Sequence, residues 1–189
     1  DLSKLEANKM ELLEEPTSLR QFLEYIFHAF QPQLQINQLQ LKLIFEFKDE
    51  DLTLFLDRRK LEKVVNNFLS NAIKFTPKNG IITLRVTEEE SLIRIVVSDT
   101  GKGVHPNDLP FIFERFYQSK QADQKLYGGT GIGLALVSDF AKLMGGRAFA
   151  ESTLGKGSRF YIEIPKRLAD PKNQIAFNIQ EEKLEDDLI

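Results

Sequence analysis

A glycine-rich stretch at residues 127–136, with the sequence YGGTGIGLAL, constrains this chain more than any other. It holds four of the eleven glycines and runs directly into an apolar segment whose periodicity predicts a helix. Glycines let a backbone approach another group closely, and a helix N-terminus presents unpaired N–H groups and the positive end of the helix dipole. The stretch therefore predicts an anion site, most often one for phosphate, with a packed loop–helix corner as the alternative.

Composition excludes several classes of protein. With 189 residues and 42% apolar residues the chain can build one ordinary core. The absence of cysteine excludes disulfides and thiol catalysis, and two separated histidines, His28 and His105, disfavour a zinc site. The net charge of −3 predicts no nucleic-acid partner, and no apolar run approaches the ~20 residues of a membrane span. We expect a cytoplasmic location for this part of the protein, whatever anchors the full-length chain.

Hydrophobic periodicity outlines the fold. We predict, in chain order, a helix from about 19 to 31 capped by Thr17 or Ser18, a hairpin of strands 41–47 and 52–57, a helix at 58–76, a second hairpin of strands 81–88 and 92–99, the helix after the glycines, and two closing strands around a Gly155–Gly157 turn. This order favours a two-layer α/β (α+β) sandwich, with helices on one face of a mixed, mostly antiparallel sheet. A long loop at 104–130 interrupts it, and such a loop is usually functional or disordered.

The helix at 58–76 carries polar residues on an otherwise apolar pattern. Asn67, Asn71 and Lys74 are spaced i, i+4, i+7 and therefore share one helical face. Asparagine is a mediocre helix former, so stability does not explain two of them one turn apart. Amide oxygens are hard ligands that suit Mg²⁺, and a lysine can meet a phosphate as a point charge. The alternative is a solvated polar stripe.

An aspartate followed by spaced glycines ends the strand at 92–99. In the sequence DTGKG, Asp99 can accept a hydrogen bond in a pocket, and Gly101 and Gly103 let a flat group lie against the backbone. The exocyclic amine of a purine is a natural donor to such a carboxylate. The alternative is a turn in which these residues serve only turn geometry.

Four stretches, in chain order, resemble the ATP-binding catalytic domain of sensor histidine kinases, within the Bergerat-fold superfamily. NNFLSNAIKFTP is similar to the N box of that family, DTGKG to its G1 box, FIFERFY to its F box and GGTGIGLAL to its G2 box. The resemblance covers roughly residues 15–166. P-loop, dinucleotide-binding and protein-kinase signatures are absent from the sequence.

The resemblance implies a role for each matching residue. Asn67 and Asn71 would hold Mg²⁺ and the phosphates of ATP, with Lys74 beside Asn67 at the catalytic centre, and Asp99 would accept from the adenine amine in a pocket shaped by Gly101 and Gly103. The further nucleotide contacts that it implies, along the phosphates and in an ATP lid at 104–130, are Phe113, Arg115, Phe116, Gly129, Thr130, Gly131, Gly133 and Leu134. Phe113 and Phe116 would anchor the lid. Arg115, Lys120 and Lys125 remain alternatives for the basic residue that meets the γ-phosphate.

The phosphoacceptor histidine of the family does not match either histidine of this chain. We expect residues 1–15 to end an upstream dimerisation helix, 16–166 to form the catalytic domain and 167–189 to be an acidic linker or tail. The resemblance implies transfer of the γ-phosphate to a histidine on the dimerisation domain of the same protein, a homodimer of the full protein, and a response-regulator receiver domain as downstream partner.

Three alternatives to the histidine kinase remain. Chaperone, gyrase and mismatch-repair ATPases of the same superfamily resemble this chain, but they carry a glutamate as water-activating base where this chain has Asn67. An amide cannot take a proton from water, which favours the kinase. A module that senses nucleotide without turnover and a serine-directed kinase of the superfamily stay open.

Overall fold

The computed structural model describes residues 10–118 and 130–170 together with Lys172. Its main sheet has five strands, which lie in the order β2 (Gln40–Glu46), β4 (Ile81–Glu88), β5 (Leu92–Asp99), β7 (Gly157–Pro165) and β6 (Arg147–Thr153). The strands β2 and β4 run parallel, and the other neighbouring pairs are antiparallel. Two further strands, β1 (Glu15–Ser18) and β3 (Thr53–Leu56), form a separate antiparallel pair.

Three helices pack against one face of the five-stranded sheet: α1 (Leu19–Ile36), α2 (Arg58–Phe75) and α3 (Gly133–Leu143). Alternate residues of β4, β5 and β7 point into this layer, because successive side chains of a strand face opposite sides. The fully buried residues of these three strands are Ile82, Leu84, Val86, Ile93, Ile95, Val97 and Ile162. The predicted two-layer α/β fold with a mixed, mostly antiparallel sheet is confirmed.

The helix α1 begins where predicted and ends later. The Ser18 hydroxyl accepts a hydrogen bond from the Gln21 amide at 3.4 Å, which makes Ser18 the N-cap. Pro32 lies inside the helix and cannot donate to the carbonyl of His28, but His28 is exposed, so water can satisfy that oxygen. Leu34, one turn after Phe30, is 3% exposed, and burial of its side chain stabilises the additional turn of the helix.

The first predicted hairpin is wrong. The strands β2 and β3 exist, but β2 pairs with β4 and β3 pairs with β1. An alternating pattern identifies a strand without identifying its partner, and the short turn at 48–51 only brings the chain from one sheet to the other. The other two hairpins, β4–β5 and β6–β7, are confirmed.

Both ends of the described domain lie beside β3. Residues 10–14 have no regular secondary structure, so the predicted helical end is wrong there, and residues 1–9 lie outside the described part. After β7 the chain continues along β3: the Phe55 amide donates to the Arg167 carbonyl at 2.8 Å, and the Ala169 amide donates to the Thr53 carbonyl at 2.9 Å. The packed unit therefore extends beyond residue 166. No helix of the described residues is long and apolar enough to span a bilayer.

Candidate functional site

The polar face of α2 has the predicted arrangement. Asn67, Asn71 and Lys74 are all half-buried, and the Asn71 Nδ2 donates to the Asn67 Oδ1 at 3.2 Å. This bond fixes one amide against the other on consecutive turns of the helix. The residues between them on the apolar stripe, such as Phe68 and Ala72, are buried in the core, so the polar face is held at one edge of the helical layer.

The N-terminus of α3 lies against that face. A Cβ added at Gly133, the first residue of α3, would come within 2.2 Å of the Asn67 Nδ2. The N-cap of α3 is Ile132, whose side chain makes no capping hydrogen bond. The first N–H groups of this helix thus open next to the two amides, and the arrangement suits an anion accompanied by a hard cation.

The F box and the glycine-rich stretch meet through their backbones. Gly131 has φ +68°, and a Cβ there would lie 2.8 Å from the carbonyl carbon of Phe116. The Phe116 amide donates to the Gly131 carbonyl at 2.9 Å, and Phe116 itself has φ +63°. A positive φ is strained for a bulky residue, and such strain clusters at functional sites. Phe116, in the middle of the loop at 104–130, is therefore tied to the residue that directly follows the loop, in front of α3.

Asp99 ends β5 as a buried carboxylate, 8% exposed. The Gly101 amide donates to its Oδ1 at 2.8 Å. Burial raises the pKa of Asp99, against the opposing effect of hydrogen bonds from the backbone of Gly101 and Ser158. A carboxylate held in this way is a strong acceptor for an N–H group that approaches it.

The loop after Asp99 is fixed from two sides. The Lys102 amide donates to the carbonyl of Phe75, the last residue of α2, at 3.3 Å, and the Gly155 amide of the β6–β7 turn donates to the Lys102 carbonyl at 2.7 Å. Gly101 and Gly103 flank this crossing point. The Nζ atoms of Lys74 and Lys102 lie 5.1 and 4.9 Å from the centre of the Phe75 ring. The site therefore carries a second lysine that the sequence interpretation missed, although its place between two glycines could have indicated it.

Some residues of the F box, at 111–117, anchor it to the rest of the domain. Ile112 and Phe113 pack against the core, and the Tyr117 hydroxyl donates to the Asp108 Oδ1 at 2.6 Å. The side chain of Phe116 is 66% exposed, so the prediction that it anchors the loop is wrong for this structure, where its backbone makes the attachment. Phe116 instead presents an apolar ring at the surface.

Arg115 forms an ion pair with Asp139 of α3, with 3.2 Å between Nη2 and Oδ2. Its guanidinium thus lies beside the helix whose N-terminus faces the site. Thr130, three residues before the start of α3, is exposed. Leu134, the second residue of α3, is half-buried and packs against the core. Gly129 and the two alternative basic residues, Lys120 and Lys125, lie outside the described residues.

The oxygen atoms at this site suit a magnesium ion only if a nucleotide supplies further ligands. Among the described residues, no three acidic or histidine side chains cluster as metal ligands. Asn67 and Asn71 offer neutral amide oxygens, and Mg²⁺ typically combines few protein ligands with waters and phosphate oxygens. A magnesium ion here would therefore arrive with a nucleotide and take part of its coordination from the phosphates.

Residues 56–168 match the family described as "Histidine kinase-, DNA gyrase B-, and HSP90-like ATPase". The chain is 35% identical, over 88% of its length, to the "Circadian input-output histidine kinase CikA" of Synechococcus elongatus. It is 36% identical, over 89% of its length, to the "Histidine protein kinase DivJ" of Caulobacter vibrioides. It spans only 22% and 28% of these two relatives.

A similar fold occurs in a solved structure of full-length ShkA in complex with AMPPNP. The superposition has a TM-score of 0.79 at 29% sequence identity and covers 89% of this chain and 35% of ShkA.

Proposed function

Because the chain belongs to the histidine kinase-, DNA gyrase B- and HSP90-like ATPase family, we propose that it binds MgATP and presents the γ-phosphate to a histidine on a separate helical domain. The observation that carries this proposal is the contact between Gly133 and Asn67, which joins the amides of α2 to the uncapped N-terminus of α3. Relatives named as histidine kinases, at 35% and 36% identity, favour phosphoryl transfer over other activities of the family.

In this proposal the nucleotide lies across the ends of α2 and β5. Asp99 accepts a hydrogen bond from the adenine amine, and the loop at 101–103 forms the wall on which the base lies. The phosphates extend towards the first N–H groups of α3, with Lys74 supplying positive charge. Bound magnesium would be held by Asn67 and Asn71 and would neutralise part of the phosphate charge.

The residues of this chain take little part in the making and breaking of bonds during the proposed transfer. The bond between the γ-phosphorus and the bridging oxygen breaks as a histidine nitrogen of the acceptor domain bonds to the phosphorus, ADP leaves with the electron pair, and the imidazole N–H proton passes to solvent. Such a reaction depends on positioning and on neutralising charge. Asn67 cannot act as a base towards water, so the site disfavours hydrolysis as the competing reaction.

The second candidate is ATP hydrolysis that drives a conformational change, since the description of the family includes ATPases. Turnover by the isolated chain separates the two. With MgATP alone we expect nucleotide binding and very slow phosphate release. Brisk steady-state release that disappears in Asn71→Ala would overturn the kinase proposal, because another group would then be activating water.

The positive experiment adds the acceptor. The protein extended by its own upstream segment should form an acid-labile phosphohistidine with labelled ATP, and Asp99→Asn should reduce the rate at low ATP concentration. The covalent connection matters because it gives the acceptor a high effective concentration. Formation of an acid-stable phosphoserine instead would assign the chain to a serine-directed kinase.

The remaining parts of the proposal concern the full-length protein. We propose a homodimer whose dimerisation domain bears the histidine, a response-regulator receiver domain that takes the phosphoryl group onward, and a cytoplasmic position for this domain. Relatives that carry histidine kinase names extend far beyond the matched region, which leaves room in them for further domains.

A further inference from the structure

Asp57 uses both of its carboxylate oxygens at the start of α2. Its Oδ1 accepts from the Lys60 amide at 3.0 Å, which makes Asp57 the N-cap of the helix. Its Oδ2 accepts from the Leu13 amide at 2.9 Å and from the Lys60 Nζ at 2.5 Å. The residue is 2% exposed. A helix cap requires only one oxygen, and the second one here holds a residue 44 positions earlier in the chain.

Polar bonds to Lys60 and Arg167 also hold residues 10–14, which we call the incoming segment. The Lys60 Nζ donates to the Glu11 carbonyl at 2.8 Å. Both oxygens of Glu14 accept from the Arg167 guanidinium, at 2.6 and 2.7 Å. Leu13 itself is 67% exposed, so its attachment comes from its backbone rather than from burial of its side chain. The side chains of Met10 and Leu12 are half-buried and pack against the hydrophobic core. The incoming segment is thus an irregular stretch fastened by a few polar bonds and two apolar side chains.

The same helix leads from this attachment to the nucleotide site. Asn67 follows Asp57 by ten positions on a continuous helix, which corresponds to about 15 Å at 1.5 Å per residue. The apolar stripe of α2 is buried along this length, including Leu61, Val64 and Phe68, so the helix can shift only as a packed unit. Detaching the incoming segment, in contrast, breaks its polar bonds and exposes only the two half-buried side chains of Met10 and Leu12, so it needs a small part of the free energy of global unfolding.

We propose that Asp57 is a positioning residue that couples attachment of the incoming segment to nucleotide binding on α2. The attached and detached states of residues 10–14 form the two-state element, and nucleotide favours the attached state. An upstream domain that pulls on this segment would thereby weaken nucleotide binding. The inference rests on the proposed function, since it takes the face of α2 as a nucleotide site.

Thermodynamic reciprocity gives a quantitative test. If nucleotide prefers the attached state by a given factor, exchange of the Leu13 amide in the 189-residue chain should slow by that factor when a non-hydrolysable ATP analogue and Mg²⁺ are added. Asp57→Asn keeps a competent cap but places an NH₂ group near the Leu13 amide, so it should detach the segment. The variant should lose nucleotide affinity by the same factor, which we expect to be about fivefold or more. Its Leu13 amide should exchange fast with and without nucleotide.

Control variants separate Asp57 from its neighbours. Leu13→Ala keeps the N–H group and should respond to nucleotide like the wild type. Arg167→Gln removes the ion pair with Glu14 but leaves the Leu13–Asp57 bond, and its response should persist. Asp57→Ser, which also caps helices, repeats the test if Asp57→Asn folds poorly.

Each remaining outcome has one meaning. Nucleotide that binds the wild type without changing the exchange of Leu13 overturns the inference and leaves the proposed function intact. A response that persists in Asp57→Asn or Asp57→Ser, or that disappears equally in Arg167→Gln, also overturns the role of Asp57. Failure of the wild type to bind the analogue at all, seen directly in a fluorescence titration, overturns the proposed function and the inference with it.

Discussion

Gly133 and Asn67 lie so close that a methyl group on Gly133 would reach within 2.2 Å of the Asn67 Nδ2. The neighbour is the end of a side chain, so an alanine at position 133 can be accommodated if the amide of Asn67 moves away. That amide is one of the two proposed magnesium ligands.

We therefore expect Gly133→Ala to imitate a loss of Asn67. The variant should stay folded, because alanine is favoured over glycine in a helix by about 1 kcal/mol, which offsets part of the displacement. Calorimetry should show that magnesium no longer tightens ATP binding, as we also expect for Asn67→Ala. The double variant should lose nothing further, since both changes act on one group. An undiminished magnesium effect in Asn67→Ala would mean that Asn67 is not a ligand.

Replacing Asp99 should weaken binding of the base. Asp99→Asn retains the shape of the side chain and removes the charged acceptor, a difference of about 1.5–3 kcal/mol for hydrogen bonds to charged groups. The dissociation constant of a fluorescent adenine nucleotide should rise about tenfold or more, at 1.4 kcal/mol per decade. An unchanged constant would refute the adenine role.

The pH dependence of adenosine binding gives an independent check on Asp99. Burial raises the pKa of this carboxyl above its usual 3.8, so it takes up a proton at a higher pH than an exposed aspartate does. Affinity should fall as the pH falls through the raised pKa, and Asp99→Asn should lack this step. The same shift means that the native state holds this proton more tightly than the unfolded state, so the contribution of Asp99 to stability grows as the pH falls through that window.

The ion pair between Arg115 and Asp139 predicts opposite effects for its two partners. Both side chains are partly exposed, at 38% and 27%, so the pair itself stabilises the fold by at most about 1 kcal/mol. If Arg115 contacts the γ-phosphate, Arg115→Gln should weaken ATP binding more than ADP binding, whereas Asp139→Asn should leave ATP binding equal or stronger because it removes a competing carboxylate. Equal losses in both variants would show that the pair maintains the site without contacting nucleotide.

Stability at low pH should depend on Glu163, which lies 4% exposed on the sheet face away from the helices. Burial alone would raise its pKa, but the guanidinium groups of Arg147 and Arg94 outweigh burial and lower the pKa below the usual 4.5. Its stabilisation is therefore present above pH 4.5 and is lost as the pH falls through the lowered pKa.

Denaturant unfolding across this pH range should show the effect. Glu163→Gln should reduce the free energy of unfolding at pH 7 by about 1.5–3 kcal/mol and flatten its pH dependence below pH 4.5. Arg147→Gln is the matched control: its side chain is 70% exposed, and we expect a change within about 1 kcal/mol. If Arg147→Gln reduced the free energy of unfolding more than Glu163→Gln does, the stabilising role assigned to the charge of Glu163 would be contradicted.

Local sequence patterns predicted the individual helices and strands better than they predicted which strands pair. The helix α2 has its predicted bounds to within one residue, because the apolar spacing from Leu61 to Ala72 and the aspartate before it are both local signals. The strand β1 was missed because it is only four residues long and contains Pro16, which usually marks a break. The parallel partner of β2 was missed because a parallel pair requires a crossover, and no spacing within either strand reports it.

The same limit applies to the candidate site. Spacing on one helix placed Asn67, Asn71 and Lys74 together correctly, since a helix fixes its own geometry. The contact of Asn67 with Gly133 joins residues 66 positions apart, and the second contact of Asp57 joins residues 44 positions apart, so only the folded chain reveals them.

Residues near the end of the domain donate hydrogen bonds to Asp99 and to the loop that follows it. Its carboxylate accepts a hydrogen bond from the backbone of Ser158, and the Lys102 carbonyl that follows it accepts from the Gly155 amide. During synthesis on the ribosome, more than fifty residues must therefore be added after Asp99 before these bonds can form. A nascent chain that ends at α3 already contains all four sequence boxes but still lacks the bonds that hold Asp99 and the loop at 101–103. The domain should therefore acquire nucleotide only after the β6–β7 hairpin has left the exit tunnel.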